Sequence, residues 1–515
     1  AAHIPKELKP RPPLQGILAD VRRRLPHYLS DFKDGLTTRS VASALFLFFA
    51  CLAPTVAFGG LLGVLTEGAI GPVETIIATA ICGVTYALFS GQPLTIIGST
   101  GPIVIFLGMV YSVTSQLGLP FLPALSWVGL WTALFCVLLT VFDANSWLRF
   151  FTRFTDDTFA ALISIIYIME ALKDIGSAFN DDTVSHDTAL LSLVLALGTY
   201  QLATSLSAFR RSSYLRRTVR EFLADFGPSI AIAVMTGVAF YLHEVELPTL
   251  AVPDTVTPSG GRSWLVNPFD APSWWWGAAA LPAVLATILV YLDQNITVRL
   301  VNSPGNRLKK GGGYNQDMLV VAILIAVCSL IGLPWCVAAT VRSLNHVRSL
   351  AVVENVPQEG LTAAHERTTG AIETRVTGLS IHLLIGGSLL LLPLLKQVPM
   401  SVLFGLFLFM GVASTRGNQL FERVQFWAMD PAMVPTTSYL RAVPRKWVSR
   451  YTAIQAAGLA TLWVVKASTL GIFFPLFIGL LVPVRMLLRR WFKPEYLALL
   501  DGHEEPEDTQ EKGVG

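Results

Sequence analysis

The chain has 515 residues, of which 53% are hydrophobic and 14% charged, and its net charge is +3. Soluble domains carry about one quarter charged residues, so this composition excludes an ordinary soluble protein, and the small net charge indicates no nucleic acid partner. Apolar runs of membrane-spanning length recur from residue 41 to residue 488 without the alternation typical of barrel strands. The chain is therefore predicted to be an all-α polytopic membrane protein surrounded by lipid.

Fourteen candidate spans follow one another along the chain. They cover residues 41–65, 73–90, 94–114, 121–142, 158–175, 188–207, 226–243, 274–296, 317–332, 335–350, 376–395, 397–414, 452–466 and 468–488. Several are shorter than the ~20 residues that a full crossing needs. We expect two seven-span halves, residues 35–243 and 274–490, between an N-terminal segment, 1–34, and a C-terminal tail, 491–515.

The basic residues predict the orientation, because cytoplasmic loops are enriched in Lys and Arg. Basic clusters occur in the N-terminal segment and after the sixth, eighth and last spans. The loop 244–273 instead carries four acidic residues and only Arg262 as a basic one. We therefore expect a protein of the cell membrane with both termini cytoplasmic and the loop 244–273 extracellular.

No feature of the sequence points to a cofactor or a catalytic centre. The five cysteines lie in apolar stretches without metal-site spacing, so they are predicted to be small core residues. No phosphate-binding loop, zinc signature or catalytic triad occurs. We predict no enzymatic activity.

Two stretches interrupt the helical pattern at corresponding places. The first runs from Gln92 to Pro102 (QPLTIIGSTGP) and the second from Gly332 to Arg342 (GLPWCVAATVR). Each is predicted to place extended backbone and a helix N-terminus inside the membrane, where irregular backbone is tolerated only around a cavity or within protein. The alternative for each is an ordinary proline-kinked helix. Because the breaks fall in the third and tenth spans, they indicate a transporter with an inverted second half.

Two facing helix N-termini form an anion site, because each offers unpaired backbone N–H groups and a partial positive charge. The predicted substrate-binding residues are Ser99, Thr100, Gly101, Thr340, Val341 and Arg342. The planar guanidinium of Arg342 suits an oxyanion such as bicarbonate or carbonate. The alternative for Arg342 is a side chain that snorkels to the membrane interface.

Asp293 follows about twelve almost unbroken apolar residues in the eighth span. An ionised Asp at the membrane centre costs roughly 2.5–3.5 kcal/mol, so it is predicted to face a cavity, an ion or a proton path; the alternative is an interfacial position without a role. We predict that Asp293 and Thr297 bind Na⁺, while a proton or an ion pair with Arg342 stays open. Lys466 and Glu170 are weaker candidates for the pathway, with interfacial or structural roles as alternatives.

At these residues the chain resembles the bicarbonate transporters of solute carrier family 4, from about residue 28 to residue 501. The matching motifs are AFGGLLG (57–63), LTIIGSTGP (94–102), DQNIT (293–297), LKKGGGY (308–314), GLPW (332–335), ATVRSLNH (339–346), RVTG (375–378) and LWVVK (462–466). The resemblance implies fourteen spans in two inverted repeats, a core domain that moves against a gate domain, a homodimer, and a site between the third and tenth spans. The family's large N-terminal cytoplasmic domain is expected to be absent.

The motifs divide between two branches of that family. The stretch 98–102 and Asp293 resemble the sodium-coupled branch, in which this Asp and Thr297 are associated with Na⁺. Arg342 and the stretch 482–485 resemble the anion exchangers. The resemblance implies a secondary active transporter of bicarbonate or carbonate with elevator-like alternating access. We expect symport with Na⁺; the alternatives are exchange against Cl⁻ and a carrier of borate or another oxyanion.

Overall fold

The structure is a computed structural model that describes residues 6–249, 255–356, 365–390, 393, 396–430, 440, 442–468 and 474–502. Most of the predicted C-terminal tail and parts of the predicted eleventh and fourteenth spans lie outside these residues. The helices are α1 (Gln15–Arg24), α2 (Tyr28–Lys33), α3 (Thr38–Leu65), α4 (Pro72–Phe89), α5 (Gly101–Gln116), α6 (Phe121–Val141), α7 (Arg153–Asn180), α8 (His186–Ala208), α9 (Arg217–Asp225), α10 (Gly227–Tyr241), α11 (Ser273–Ala278), α12 (Ala280–Val301), α13 (Tyr314–Ile331), α14 (Thr340–Ser349), α15 (Val376–Gly387), α16 (Met400–Thr415), α17 (Gln419–Ala428), α18 (Arg445–Ala467), α19 (Phe474–Gly479), α20 (Leu481–Trp491) and α21 (Pro494–Asp501). The strands are β1 (Ile97–Gly98), β2 (Val337–Ala338), β3 (Ala351–Val356) and β4 (His365–Ala371).

Six helical segments of the described chain are long and apolar enough to cross a membrane. They are α3, α4, α6, α8 with the turn after it, α11 with α12, and α13. The pairs α9–α10 and α16–α17 pass the same test together but bend by 65° and 86°. The structure is thus a helical membrane protein with six to eight such spans among the described residues, and the fourteen spans and inverted repeats stay predictions.

The helices pack into two groups. The first group contains α3 to α6 and α12 to α15, and its helices contact mainly one another. The second group contains α7, α8, α10, α16 and α18, which likewise pack chiefly together. The two groups meet where α7 approaches α12 and α14, where α14 approaches α16, and where α3 approaches α10 and α16. Any ligand site at this boundary is lined by both groups.

Both predicted breaks are extended segments, so the proline-kink alternative is wrong. The strands β1 and β2 pair antiparallel, with Ile97 opposite Ala338 and Gly98 opposite Val337. The backbone N–H of Ala339 extends this pairing by donating to the carbonyl of Ile96 at 2.8 Å. The half-helices α5 and α14 begin two or three residues after their strands. Their N-terminal ends therefore start from the same small sheet.

A β-hairpin was not predicted from the sequence. The strands β3 and β4 pair antiparallel from Ala351 opposite Ala371 to Val356 opposite His365, with one register shift. Residues of high β-propensity, such as Val352, Val353 and Thr368, favour these two strands. The all-α class therefore holds for the spans but not for this connection between α14 and α15.

One face of the bundle carries the N-terminal segment and is called the N-terminal face here. Its centre is the fully buried carboxylate of Asp31, which pairs with Arg24, Lys310 and Arg375 at 2.9–3.0 Å. Because removing one member of a buried ion network leaves an uncompensated charge, this cluster fixes residues 15–34 against the first helix group.

The opposite face carries the loop 255–272. The buried carboxylate of Glu74 accepts hydrogen bonds from the backbone N–H groups of Gly71 and Ser259. Arg262 donates to the carbonyl of Gly332 at 2.8 Å, just after α13 ends. These contacts hold the loop across the ends of α4 and α13.

Candidate functional site

A cavity of about 220 Å³ lies between the two helix groups, where the two breaks meet. The first group contributes α3, α5, α12 and α14, and the second contributes α7 and α18. The lining residues are Phe58, Leu61, Thr100, Gly101, Pro102, Ile105, Phe159, Ile163, Ile166, Tyr167, Glu170, Asp293, Ala338, Ala339, Thr340, Val341, Arg342 and Lys466. The cavity therefore joins nearly all the residues that were predicted for the site, although they span more than 350 positions of sequence.

Residues of the first break hold two charged side chains. The carbonyl of Ser99 accepts a hydrogen bond from Nη2 of Arg342 at 2.6 Å. The hydroxyl of Thr100 donates to Oδ2 of Asp293 at 3.3 Å. Ser99 is buried and outside the cavity lining, so its contact with Arg342 is made by its backbone carbonyl.

Arg342 in the first turn of α14 is the main donor at the cavity. The residue is 1% exposed, so it does not snorkel to an interface. Besides Nη2, its Nε and Nη1 are buried and have no hydrogen-bond partner. A buried guanidinium with unused donors is costly unless a ligand satisfies them, and an oxyanion can accept charge-assisted hydrogen bonds from them.

Asp293 lies well inside α12 and is 6% exposed, so the alternative of an interfacial helix end is wrong. The Asp293 carboxylate and the Arg342 guanidinium do not approach within 4.0 Å, so the alternative of an ion pair between them is not realised in this structure. One turn later, Thr297 shares a hydrogen bond of 2.7 Å with Thr340 Oγ1. Asp293 and Thr340 line the cavity, whereas Thr297 is fully buried behind Thr340 and outside the lining.

Gln294 supports the second break from α12. Its Oε1 accepts from the backbone N–H of Ala338 at 2.9 Å, and its Nε2 donates to the Tyr86 hydroxyl at 3.2 Å. Gln294 is fully buried. It therefore ties β2 to α12 and α4 and fixes where α14 begins.

Lys466 and Glu170 lie at the side of the cavity formed by α18 and α7. Lys466 Nζ is 3.3 Å from Glu170 Oε1, with 33% and 59% of the two side chains exposed. An ion pair that exposed contributes little to stability, typically about 0–1 kcal/mol. Both residues therefore remain candidates for the pathway, as predicted from the sequence.

Sequence reasoning missed the contribution of α7 to the cavity. Tyr167 interacts electrostatically with Arg342 from the second helix group, and Phe159, Ile163 and Ile166 complete that wall. These residues resemble any apolar helix face, so nothing in their pattern indicates a role in the site. Arg299, six residues after Asp293, is a charged residue near the end of an apolar span, and no role was predicted for it from the sequence.

Two broken helices that meet at a buried, charged cavity define the class of the protein as a membrane transporter. A family profile described as the HCO3- transporter integral membrane domain matches residues 12–187 and 180–505. The chain belongs to this bicarbonate transporter family, as the resemblance predicted. It is accordingly a transporter-family protein.

Curated relatives agree with this assignment. The human sodium bicarbonate cotransporter 3 is 37% identical over 94% of this chain and 46% of its own length. The mouse electroneutral sodium bicarbonate exchanger 1 is 35% identical, with 94% and 51% covered, and the bovine sodium-driven chloride bicarbonate exchanger is 36% identical, with 94% and 49% covered. The chain spans about half the length of these relatives.

A solved structure supports the fold alone. The overall structure of SLC26A9 matches 90% of this chain and 68% of its own, with a TM-score of 0.54 and 14% identity. The shared architecture carries no argument about the substrate.

Proposed function

We propose that this chain is a secondary active transporter that moves bicarbonate or carbonate together with Na⁺. One observation carries the proposal. The guanidinium of Arg342, two of whose nitrogens have no hydrogen-bond partner, and the carboxylate of Asp293 line one cavity without neutralising each other. A cation and an anion can then bind side by side, each next to a protein charge of opposite sign.

The anion half of the site rests on Arg342 and the start of α14. Bicarbonate and carbonate are planar oxyanions, and their oxygens can accept charge-assisted hydrogen bonds from the unused donors of Arg342, Nε on one edge of the guanidinium or Nη1 on the other. The backbone N–H groups of Thr340 and Val341, in the first turn of α14, add partial positive charge. Thr100 and Gly101 at the start of α5 face the same space.

The cation half of the site rests on Asp293. Na⁺ is a hard cation that prefers oxygen ligands, and we propose that Asp293 Oδ2, Thr100 Oγ1, Thr297 Oγ1 and nearby carbonyls provide them. Thr297 is held by Thr340, so cation binding is linked to the N-terminal end of α14. This link would couple the two ligands, because ordering one half of the site orders the other.

Transport would follow from motion of the first helix group against the second. The cavity lies at their boundary, so a relative displacement exposes it first to one face and then to the other, as in an elevator mechanism. We propose that the N-terminal face is cytoplasmic, that the loop face is extracellular, and that the protein works as a homodimer in the cell membrane.

Exchange of bicarbonate against Cl⁻ is the alternative that a specific observation favours. Arg342 resembles the residue of the exchangers, and a single guanidinium binds either anion in turn. The relatives include proteins named as cotransporters and as exchangers. Borate is a further oxyanion of suitable charge.

The experiment uses purified protein in liposomes that contain a pH-sensitive dye. A bicarbonate gradient is imposed with and without Na⁺, and with and without Cl⁻ on the opposite side. Flux that requires Na⁺ and ignores the opposite Cl⁻ is the expected result. Flux that requires Cl⁻ on the opposite side and ignores Na⁺ would assign the exchanger activity, and flux of borate alone would change the substrate.

A further inference from the structure

A buried ion pair joins the two helix groups near the N-terminal face. Arg299 Nε, in the last turn of α12, lies 2.8 Å from Asp156 Oδ2 in the first turn of α7. The two side chains are 11% and 8% exposed. Because α12 belongs to the first group and α7 to the second, the pair crosses the boundary along which the groups would move.

The pair lies on the N-terminal side of the central cavity. Asp293 and Phe159 line the central cavity, and Arg299 and Asp156 follow on the same two helices, six residues and three residues closer to that face. With 1.5 Å of rise per residue, the two residues of α12 are about 9 Å apart along the helix axis. Arg299 and Asp156 line a second cavity of about 510 Å³.

Each partner is anchored to its own group. Arg299 Nη1 also donates to the carbonyl of Leu148 at 2.7 Å, in the turn that precedes α7. That turn is attached to α12, because the Tyr291 hydroxyl donates to the carbonyl of Ala144 at 2.8 Å.

The start of α7 is attached to the second group instead. Gln455 of α18 donates to the carbonyl of Phe154 at 3.0 Å, and the carboxylate of Asp501 accepts from the Phe154 N–H at 2.9 Å. The short connection from Arg149 to Thr152 is therefore where the chain passes from one group to the other. Asp156 would move with the second group and Arg299 with the first.

We propose that the Asp156–Arg299 pair is the gate that closes the transport path at the N-terminal face, and that opening this gate presents Arg299 to anions entering the 510 Å³ cavity. The closed pair excludes water from the path and neutralises both charges. When the groups separate, Arg299 becomes an unpaired cation at the mouth of the path, where it attracts an anion. This inference rests on the proposed transport function.

The experiment measures access to the central cavity from each side of the membrane. Ile166, which lines that cavity on α7, is replaced by Cys as a reporter; the five native cysteines are buried. A membrane-impermeant thiol reagent is applied to either side of sealed vesicles. The variants are Asp156→Asn, Arg299→Gln and the charge exchange Asp156→Arg with Arg299→Asp.

We expect both single variants to raise labelling from the N-terminal face by about 10-fold, the change that 1.4 kcal/mol makes in an equilibrium. Labelling from the opposite face should fall, and the charge exchange should restore the original ratio. Arg153→Gln is the matched control, because Arg153 pairs at 3.4 Å with Asp157 of its own helix and crosses no boundary.

Two results would overturn the gate. One is labelling of Asp156→Asn and Arg299→Gln that equals that of Arg153→Gln. The other is a rise from both faces that the charge exchange fails to reverse, which would mean a loosened fold. If the wild type shows no bicarbonate flux while the labelling shifts as expected, the proposed transport function fails and the gate stands.

Discussion

Asp293 and Arg342 line one cavity with opposite charges, yet each is held by a neighbouring residue of the first break instead of by the other. Thr100 donates to Asp293 at 3.3 Å, and the carbonyl of Ser99 accepts from Arg342 at 2.6 Å. A direct ion pair would cancel both charges and leave nothing for a ligand. Two consecutive residues of extended backbone thus keep an acid and a base apart inside the membrane.

Replacing Arg342 by Ala should weaken anion binding strongly. A hydrogen bond to a charged group contributes about 1.5–3 kcal/mol, so the apparent KM for bicarbonate should rise about 10-fold or more. Arg342→Lys should give an intermediate value, because it keeps the charge without the fork. Concentration dependence of flux in liposomes measures this, and an unchanged KM for Arg342→Ala removes Arg342 from the site.

Replacing Asp293 by Asn should abolish the dependence of bicarbonate flux on Na⁺, because the amide keeps the shape but loses the charge that favours a cation. Thr287→Val is the matched control on the same helix, since the Thr287 hydroxyl donates to its own helix at the carbonyl of Ala283. A Na⁺ titration of flux reports the result. Retained Na⁺ dependence in a monodisperse Asp293→Asn preparation would exclude the cation role.

Replacing Gly98 by Ala should impair anion binding through a steric clash alone, without a change of charge. A Cβ at this position would lie 2.7 Å from Nη1 of Arg342, so the guanidinium must shift. Nη1 is the end of a flexible side chain and can give way, but the shift moves the guanidinium from its place beside the Ser99 carbonyl, so we expect the KM for bicarbonate to rise by less than the ~10-fold that 1.4 kcal/mol gives. Gly176→Ala on α7 is the control, because nothing lies within 4 Å of its Cβ. Equal KM values for the two variants would contradict the packing argument.

The docking of α1 should depend on pH through Asp20. Burial raises the pKa of Asp20 from 3.8 to about 6, although Arg23 and the N–H groups of Asn315 and Gln316 oppose this shift. Between pH 6 and pH 3.8 the folded state binds more protons than the unfolded state, so the contribution of Asp20 to stability rises as pH falls through 6 and is lost as pH rises again.

Thermal unfolding in detergent from pH 7.5 to pH 4.5 tests this prediction. The Tm of the wild type relative to that of Asp20→Asn should increase as the pH falls, because Asn has no proton to gain. Parallel Tm profiles for the two proteins would show that Asp20 titrates alike in the folded and unfolded states.

The sequence could predict the centre of the site because its residue types are unusual in an apolar, helical stretch. Asp293 is an acid in an apolar run, and the stretches around Pro93 and Pro334 interrupt helical periodicity. The fold then brings these three features together. A residue whose position costs free energy can be recognised from the sequence alone, without knowledge of its neighbours in the fold.

The remaining contacts could not be predicted, because they depend on how distant helices pack. Asp156 and Arg299 are 143 positions apart, and each alone looks like an ordinary charge near a helix end. From the sequence alone Tyr167 resembles a lipid-facing residue, because its position beside α14 depends on how the helices pack. The hairpin of β3 and β4 was not predicted because the hydropathy pattern identifies the spans and does not indicate the structure of the segments that connect them.

The central claim is that one cavity binds Na⁺ and bicarbonate together, and uptake of radioactive Na⁺ tests it most directly. Liposomes containing the purified protein are given equal Na⁺ on both sides and an inward bicarbonate gradient. We predict that the gradient drives net accumulation of labelled Na⁺ and that Asp293→Asn abolishes it. Bicarbonate entry without any accumulation of Na⁺ would contradict the claim and leave Arg342 as the centre of an anion exchanger.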